Sequence, residues 1–337
     1  MSTAYIDGMA DAAPRIGLVL GAGGVAGGAF HAGVLAALEQ ALHWDPRTAD
    51  VIVGTSAGSI TATSLRAGLS AADGLARAQG RSMSDEGAAL LRSIGPMRRR
   101  PLRPALQARR PAQIAAALAR AAGRPFNAAP WTLLAGLLPE GSVSTDFISS
   151  AVGELFPDDW PADPLWICAV RQSDGRRVVF GRGDAWGPLA DVVAASCAIP
   201  SFFSPVVVEG DSYIDGGLHS PTNADVLADK SLALDLVVVS SPMSATAGRL
   251  KIGRAHPVRA WSGALLDAEV LRLRRRGIPV VAFQPTGADV AIMGNNAMEP
   301  TRRAAIAAQA NASALRRIAR ADSQARLAAL LRSPPPR

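Results

Sequence analysis

Residues Val51 to Gly58 read Val-Ile-Val-Gly-Thr-Ser-Ala-Gly, an apolar β-branched run that empties into Gly-x-Ser-x-Gly. Such a run favours a buried strand, and Ser59 to Ala67 continues with helical spacing. A strand that turns at once into a helix around a serine strains that residue and pushes its hydroxyl outward, the arrangement of a nucleophile elbow. Gly54 and Gly58 fit this geometry, because a Cβ at either place would strike the neighbouring strand or helix. Ser56 is therefore the candidate nucleophile, and the N–H groups opening the next helix favour negative charge beside it. Taken alone, the same residues also read as a Gly/Ser-rich loop.

A second glycine cluster lies upstream. The short apolar strand Arg15–Leu20 runs into Gly21-Ala-Gly-Gly-Val-Ala-Gly-Gly28, and Ala29 to Glu39 follows with helical apolar spacing. Strand, glycine loop and helix together form an anion cradle, suited to a phosphate or to the oxyanion of an acyl-transfer intermediate. The nucleotide fingerprint fails, since the register Gly21, Gly23 meets Ala26 where a third glycine belongs. No acid stands at the end of a second strand about 20 residues on, where a ribose partner is required. A third piece, Ser212-Tyr-Ile-Asp-Gly-Gly217, delivers Asp215 from a short strand into a turn made by Gly216 and Gly217. By itself Asp-Gly is only a turn signal.

In this order the three pieces resemble the motif set of the patatin-like phospholipase family. The likeness extends to Ala194-Ala-Ser-Cys-Ala-Ile-Pro-Ser-Phe-Phe-Ser-Pro205, similar to the family's helix that ends in small residues and Ile-Pro before the Asp strand, and it runs from about Arg15 to Val239. The resemblance implies a lipid acyl hydrolase that cleaves carboxylic esters through a Ser-Asp dyad and an acyl-enzyme, with no cofactor and no metal. It makes Ser56 the nucleophile, Asp215 its base, and the backbone amides of Gly23 and Gly24 the oxyanion hole. One departure stands out: where the family usually carries Arg or Lys two residues after the paired glycines, this chain has Ala26. An aspartate at its ordinary pKa of about 3.9 is a poor base at neutral pH, and burial would raise it.

Two neighbouring enzyme readings and one non-enzyme reading stay open. Chain order Ser…Asp…His would formally allow an α/β-hydrolase triad with His219 or His256, although His219 follows the same turn as Asp215 and no His-Gly-Gly-Gly stretch accompanies it. His31 and His43 read as structural or surface residues. The same dyad could serve a soluble carboxylesterase or thioesterase, and Ala26 motivates a catalytically weak lipid-binding scaffold.

With 337 residues, 49% apolar and 19% charged, the chain can bury one large core. Neither a basic leader nor a run of 18 uninterrupted apolar residues occurs, so a cytoplasmic protein is expected. Cys168 and Cys197 lack metal-ligand neighbours and read as reduced core thiols. The net charge of +7 comes almost wholly from arginine, Lys230 and Lys251 being the only lysines. A compositional bias toward arginine and alanine accounts for it, and without an aromatic-interleaved basic stripe no nucleic-acid partner is expected. The Pro-bounded cluster Arg98, Arg99, Arg100 and Arg103, followed by Arg109 and Arg110, could touch anionic headgroups, which adds peripheral contact with an anionic membrane to the expected lipid-ester substrate.

The expected fold is α/β, a mostly parallel central sheet flanked by helices. Residues 1–14 form a tail, 15–285 the main domain, 286–332 a C-terminal helical segment and 333–337 a second tail. Strands are predicted at Arg15–Leu20, Val51–Val53, Leu165–Val170, Arg177–Phe180, Val206–Val208, Ser212–Ile214, Leu234–Val239 and Pro279–Phe283. Residues 70–153 lack good strands and read as a helical insertion, with patterns at Pro111–Ala122, Pro130–Leu138 and Thr145–Leu155, either capping the site or forming a plain helical layer. Further helices are predicted at Pro257–Arg276 and, unbroken, at Ala304–Leu331.

Overall fold

The computed structural model describes residues 13–93, 141–157, 160–245 and 257–332. Five strands run parallel: β1 (Ile16–Leu20), β2 (Val51–Thr55), β3 (Leu165–Arg171), β7 (Leu236–Ser240) and β8 (Val280–Phe283). Three antiparallel strands, β4 (Arg177–Phe180), β5 (Val206–Val208) and β6 (Asp211–Asp215), complete the sheet. Its pairing path is β5-β6-β3-β2-β1-β7-β8, with β4 on β3.

The near-continuous apolar strands follow from burial on both faces. On one face Ile16, Leu18, Leu20, Ile52, Ile167 and Val238 belong to the core that includes helix α1 (Gly24–Leu42). On the other, Val19, Val51, Val53, Val237 and Val239 pack with Leu266 and Leu273 of helix α7 (Pro257–Arg275). Between these come α2 (Ala57–Arg66), α3 (Ala71–Gln79), α4 (Asp85–Ser93), α5 (Asp146–Leu155) and α6 (Leu189–Ser196). After β8 follow α8 (Gly287–Met293), α9 (Arg303–Ile318) and α10 (Ala321–Leu327). Among the described residues α1 alone is long and apolar enough to cross a membrane, and it is mostly buried in the core.

The position of the site follows from how β3 is shared. A strand has two hydrogen-bonding edges, and β4 occupies one of them, with Ile167 opposite Phe180 and Ala169 opposite Val178. The other edge takes parallel β2 as far as Thr55 opposite Cys168, and then antiparallel β6 from Asp215 opposite Ala169. Strands β2 and β6 therefore meet end to end, which brings the residue after Thr55 face to face with Asp215.

Several expectations need correction. Helix α1 starts inside the glycine run, at Gly24 rather than Ala29. The unbroken helix Ala304–Leu331 is instead α9, a bend at Arg320 (ψ 137°), α10 and a short 3-10 turn at Leu330–Arg332. The bend returns the chain to the body, so that Leu327 and Leu330 are buried, whereas a straight helix would carry them away from it. Helix α8 was not predicted, although Thr286 and Asp289 form a reciprocal capping box at its start. Of the predicted insertion, α3, α4 and α5 are described. The patterns at Pro111–Ala122 and Pro130–Leu138, the cluster from Arg98 to Arg110, His256, and the tails 1–12 and 333–337 lie outside the described residues.

Candidate active site

Ser56 stands between β2 and α2 with φ 53° and ψ −121°, a strained conformation costing on the order of 1–3 kcal/mol that the surroundings must hold in place. They do so through glycine. A Cβ on Gly58 would lie 1.9 Å from the Leu20 carbonyl oxygen, and one on Gly54 would lie 2.5 Å from the Ser59 Cα. The Ser59 hydroxyl donates to the Ser56 carbonyl at 2.6 Å, closing the first turn of α2.

Asp215 ends β6 and is 5% exposed. The Ser56 hydroxyl lies close enough to act on its carboxylate, and Oδ1 accepts the Gly217 N–H at 2.7 Å. Gly216 is required here because a Cβ would lie 2.2 Å from the Cys168 carbonyl. Burial pushes the Asp215 carboxyl up to about 6, against the opposing effect of the Ser56 hydroxyl and the Gly217 amide.

The glycine loop follows β1 toward the same place. Gly21 donates to the Ser240 carbonyl at 3.0 Å and Ala22 to the Pro221 carbonyl at 2.7 Å. Gly24 has φ 58° and opens α1, and the amides of Gly23 and Gly24 have no acceptor among the described residues. Free N–H groups at a helix start are suited to an oxyanion.

A family model described as patatin-like phospholipase matches residues 18–228, more than half of the chain and all three of these elements. The chain belongs to the patatin-like phospholipase family. No curated protein matches it. Among solved structures it is similar to human GIVD cytosolic phospholipase A2 in complex with methyl gamma-linolenyl fluorophosphonate, at 14% identity and a TM-score of 0.39, over 95% of this chain and 59% of that one. The chain thus spans about three-fifths of the length of that structure.

In this chain, Ser56 opens into a cavity of about 320 Å³. Apolar side chains dominate its wall, among them Leu35, Leu65, Leu69, Ile148, Phe203 and Met298. Helices α3 and α5 contribute to that wall, whereas no residue of α4 does, so two of the described helices of the predicted insertion border the site. At the family's usual basic position, Ala26 is buried at 2% exposure and its N–H donates to the Ala297 carbonyl at 2.9 Å.

The described histidines lie elsewhere. His219 is pushed down to about 4 by burial and by Arg177, and it interacts with Arg177 and Asp225, whereas the carboxyl that feels the Ser56 hydroxyl is that of Asp215. His31 is fully buried in α1, with Nε2 2.7 Å from the Gly21 carbonyl and Nδ1 2.8 Å from the Ser240 hydroxyl. Burial lowers it to about 4, so it is neutral, with Nε2–H donating to Gly21 and Nδ1 accepting from Ser240. It anchors the start of the glycine loop.

Sequence reasoning missed three further supports. Ser196 accepts the Ser56 N–H at 2.9 Å and donates to the Cys168 carbonyl at 2.7 Å, joining the elbow to β3. The Ala198 carbonyl accepts the Asp215 N–H at 3.0 Å, which gives the Ala194–Pro205 stretch its local purpose. Asn223, at φ 52°, donates to the Thr55 hydroxyl at 3.1 Å and to the Ser220 carbonyl at 2.6 Å, joining the end of β2 to the segment after the Asp turn. Beneath it, buried Glu269 accepts from the Thr222 hydroxyl at 2.5 Å and from the Ala224 N–H at 3.0 Å.

Proposed function

We propose that the chain is a lipid acyl hydrolase that cleaves carboxylic esters through a Ser56 acyl-enzyme with Asp215 as general base. The observation that carries this reading is a strained serine set against a buried aspartate raised to about 6, at the mouth of a largely apolar cavity. As the Ser56 Oγ attacks the ester carbonyl, its proton passes to Asp215 and the carbonyl electrons move onto oxygen. The amides of Gly23 and Gly24 stabilise that oxyanion, with the starts of α1 and α2 adding favourable dipoles. Collapse expels the alcohol, which takes the proton from Asp215. Water then attacks the acyl-enzyme while Asp215 accepts its proton, releasing the acid and free Ser56.

An acyl chain fits the cavity wall, and about 320 Å³ is within the range of small-ligand sites. Peripheral contact of a cytoplasmic enzyme with anionic membranes through the Arg98–Arg103 cluster belongs to the same proposal and rests on sequence alone. The test is hydrolysis of a medium-chain monoacylglycerol by wild type and by Ser56→Ala. Wild type turns the ester over and the variant retains less than a hundredth of the rate, whereas residual activity above roughly a tenth overturns the assignment.

A further inference from the structure

The cavity beside Ser56 is largely apolar, with the hydroxyls of Ser56, Thr61, Ser64 and Ser70 and one charged corner among its described lining. Among the described residues lining it, only Arg77 and Arg303 are charged, and none is a carboxylate. Arg303 opens α9 and is held by the end of α3, its Nε donating to the Ala78 carbonyl at 3.3 Å and one terminal nitrogen to the Arg77 carbonyl at 3.0 Å. Capping a helix end would account for Arg303 alone. It does not account for Arg77, whose guanidinium has no ion pair or hydrogen bond among the described residues. Burial and the like charge of Arg303 both push Arg77 below its ordinary value, the situation a bound anion would relieve.

The register of α9 on α1 puts these cations near the reacting end. Gly24 approaches Ala297 and Met298, while Gly33, two and a half turns along α1, approaches Ala307 and Asn311. Arg303 therefore lies alongside the second turn of α1, within the first half of that helix. There Gly28 borders the cavity, and a Cβ on it would meet nothing within 4 Å.

We infer that Arg77 and Arg303 form an anion subsite that receives the phosphate of a glycerolipid headgroup, so that the cavity selects ester lipids of net negative charge over zwitterionic and uncharged ones. This rests on the ester-hydrolase reading above. Guanidinium forks match phosphate geometry, and two of them with no carboxylate beside them among the described residues offer nothing to a quaternary ammonium. Selection then comes from both attraction of the phosphate and the unmatched ammonium.

The test compares monoacylglycerol phosphate, uncharged monoacylglycerol and monoacylglycerophosphocholine of one acyl chain, each below its micelle concentration, on the full chain. Wild type is expected to prefer the phosphate at least tenfold in kcat/KM over either competitor. In Arg77→Gln the phosphate-to-uncharged ratio falls at least tenfold, mainly through KM, and Arg77→Lys recovers part of it. An unchanged ratio in Arg77→Gln, or no preference in wild type, overturns the subsite. Dodecyl phosphate and dodecanoate separate a headgroup phosphate from a product carboxylate. Stronger inhibition by dodecyl phosphate, weakened in Arg77→Gln, supports the proposal, and stronger Arg77-dependent inhibition by dodecanoate overturns it. If no ester is turned over, the hydrolase reading fails separately, and calorimetric binding of dodecyl phosphate to wild type and Arg77→Gln still decides the subsite: at least tenfold weaker binding to the variant supports it, and equal binding overturns it.

Discussion

Asp215 can serve as a base because the fold keeps it nearly dry while setting two donors against it, the Ser56 hydroxyl and the Gly217 amide. The balance puts its carboxyl at about 6, raised from the ordinary carboxylate range. The sign for catalysis is direct: the base works only when ionised, so kcat/KM climbs as pH rises through about 6 and levels off above it. A rate flat from acid to neutral pH contradicts this role. Asp215→Asn, nearly isosteric, should lose on the order of a hundredfold or more and should also lose the acid limb. His31 carries a different kind of load. His31→Ala leaves a cavity and strips the Gly21 carbonyl and the Ser240 hydroxyl of their partner, so urea unfolding should show a loss of about 2–4 kcal/mol. At this scale the sequence was uneven. Ser56, Asp215 and the glycines were legible because tight turns force small residues into fixed local spacing. His31 and Asn223 were not, since their partners Ser240 and Thr55 are 209 and 168 residues away and no local pattern marks them.

At the scale of elements, the site exists because β2 and β6 stop head to head on one edge of β3. Strands Val51–Thr55 and Asp211–Asp215 were foreseeable from their apolar residues and flanking glycines, but their meeting was not. That depends on β6 running antiparallel, and the turn Glu209-Gly210 that reverses β5 into β6 carries no information about which strand β6 will join. The break between α9 and α10 was equally illegible, because an alanine- and arginine-rich run has uniform helix propensity and only tertiary burial of Leu327 and Leu330 decides the bend. The elbow yields a sharp prediction. Gly58→Ala puts a methyl 1.9 Å from the Leu20 carbonyl, so β1 and α2 must separate, with loss of ester hydrolysis and of several degrees in Tm. Gly287→Ala, at the start of α8 with nothing within 4 Å, should leave Tm unchanged or slightly raised by calorimetry.

Seen whole, the molecule completes its site with chain beyond the family match. That match ends at residue 228, yet Ala297 accepts the Ala26 amide, and both Met298 and Arg303 line the cavity. Helix α9 packs so closely on α1 that a Cβ on Gly33 would lie 2.5 Å from the Ala307 carbonyl, and Ala307, Ala310 and Ala314 are buried there. A chain ending at Pro285 would expose that face of α1. It is expected to lose its cooperative thermal transition along with activity, and a truncated chain that unfolds cooperatively and hydrolyses esters would contradict the integration of this segment. The α/β architecture was readable from the order of strands, glycine loops and helices, whereas the inward role of residues 286–332 was not, because small alanines in a helix give no sign of which neighbour they face. The central claim, that the assembled strands activate Ser56 as a nucleophile, is tested most directly by treating the intact chain with an alkyl fluorophosphonate and mapping the labelled peptide by mass spectrometry. The expected result is one adduct, on Ser56, formed more slowly in Asp215→Asn; an unlabelled chain, or an adduct on another serine, would contradict it.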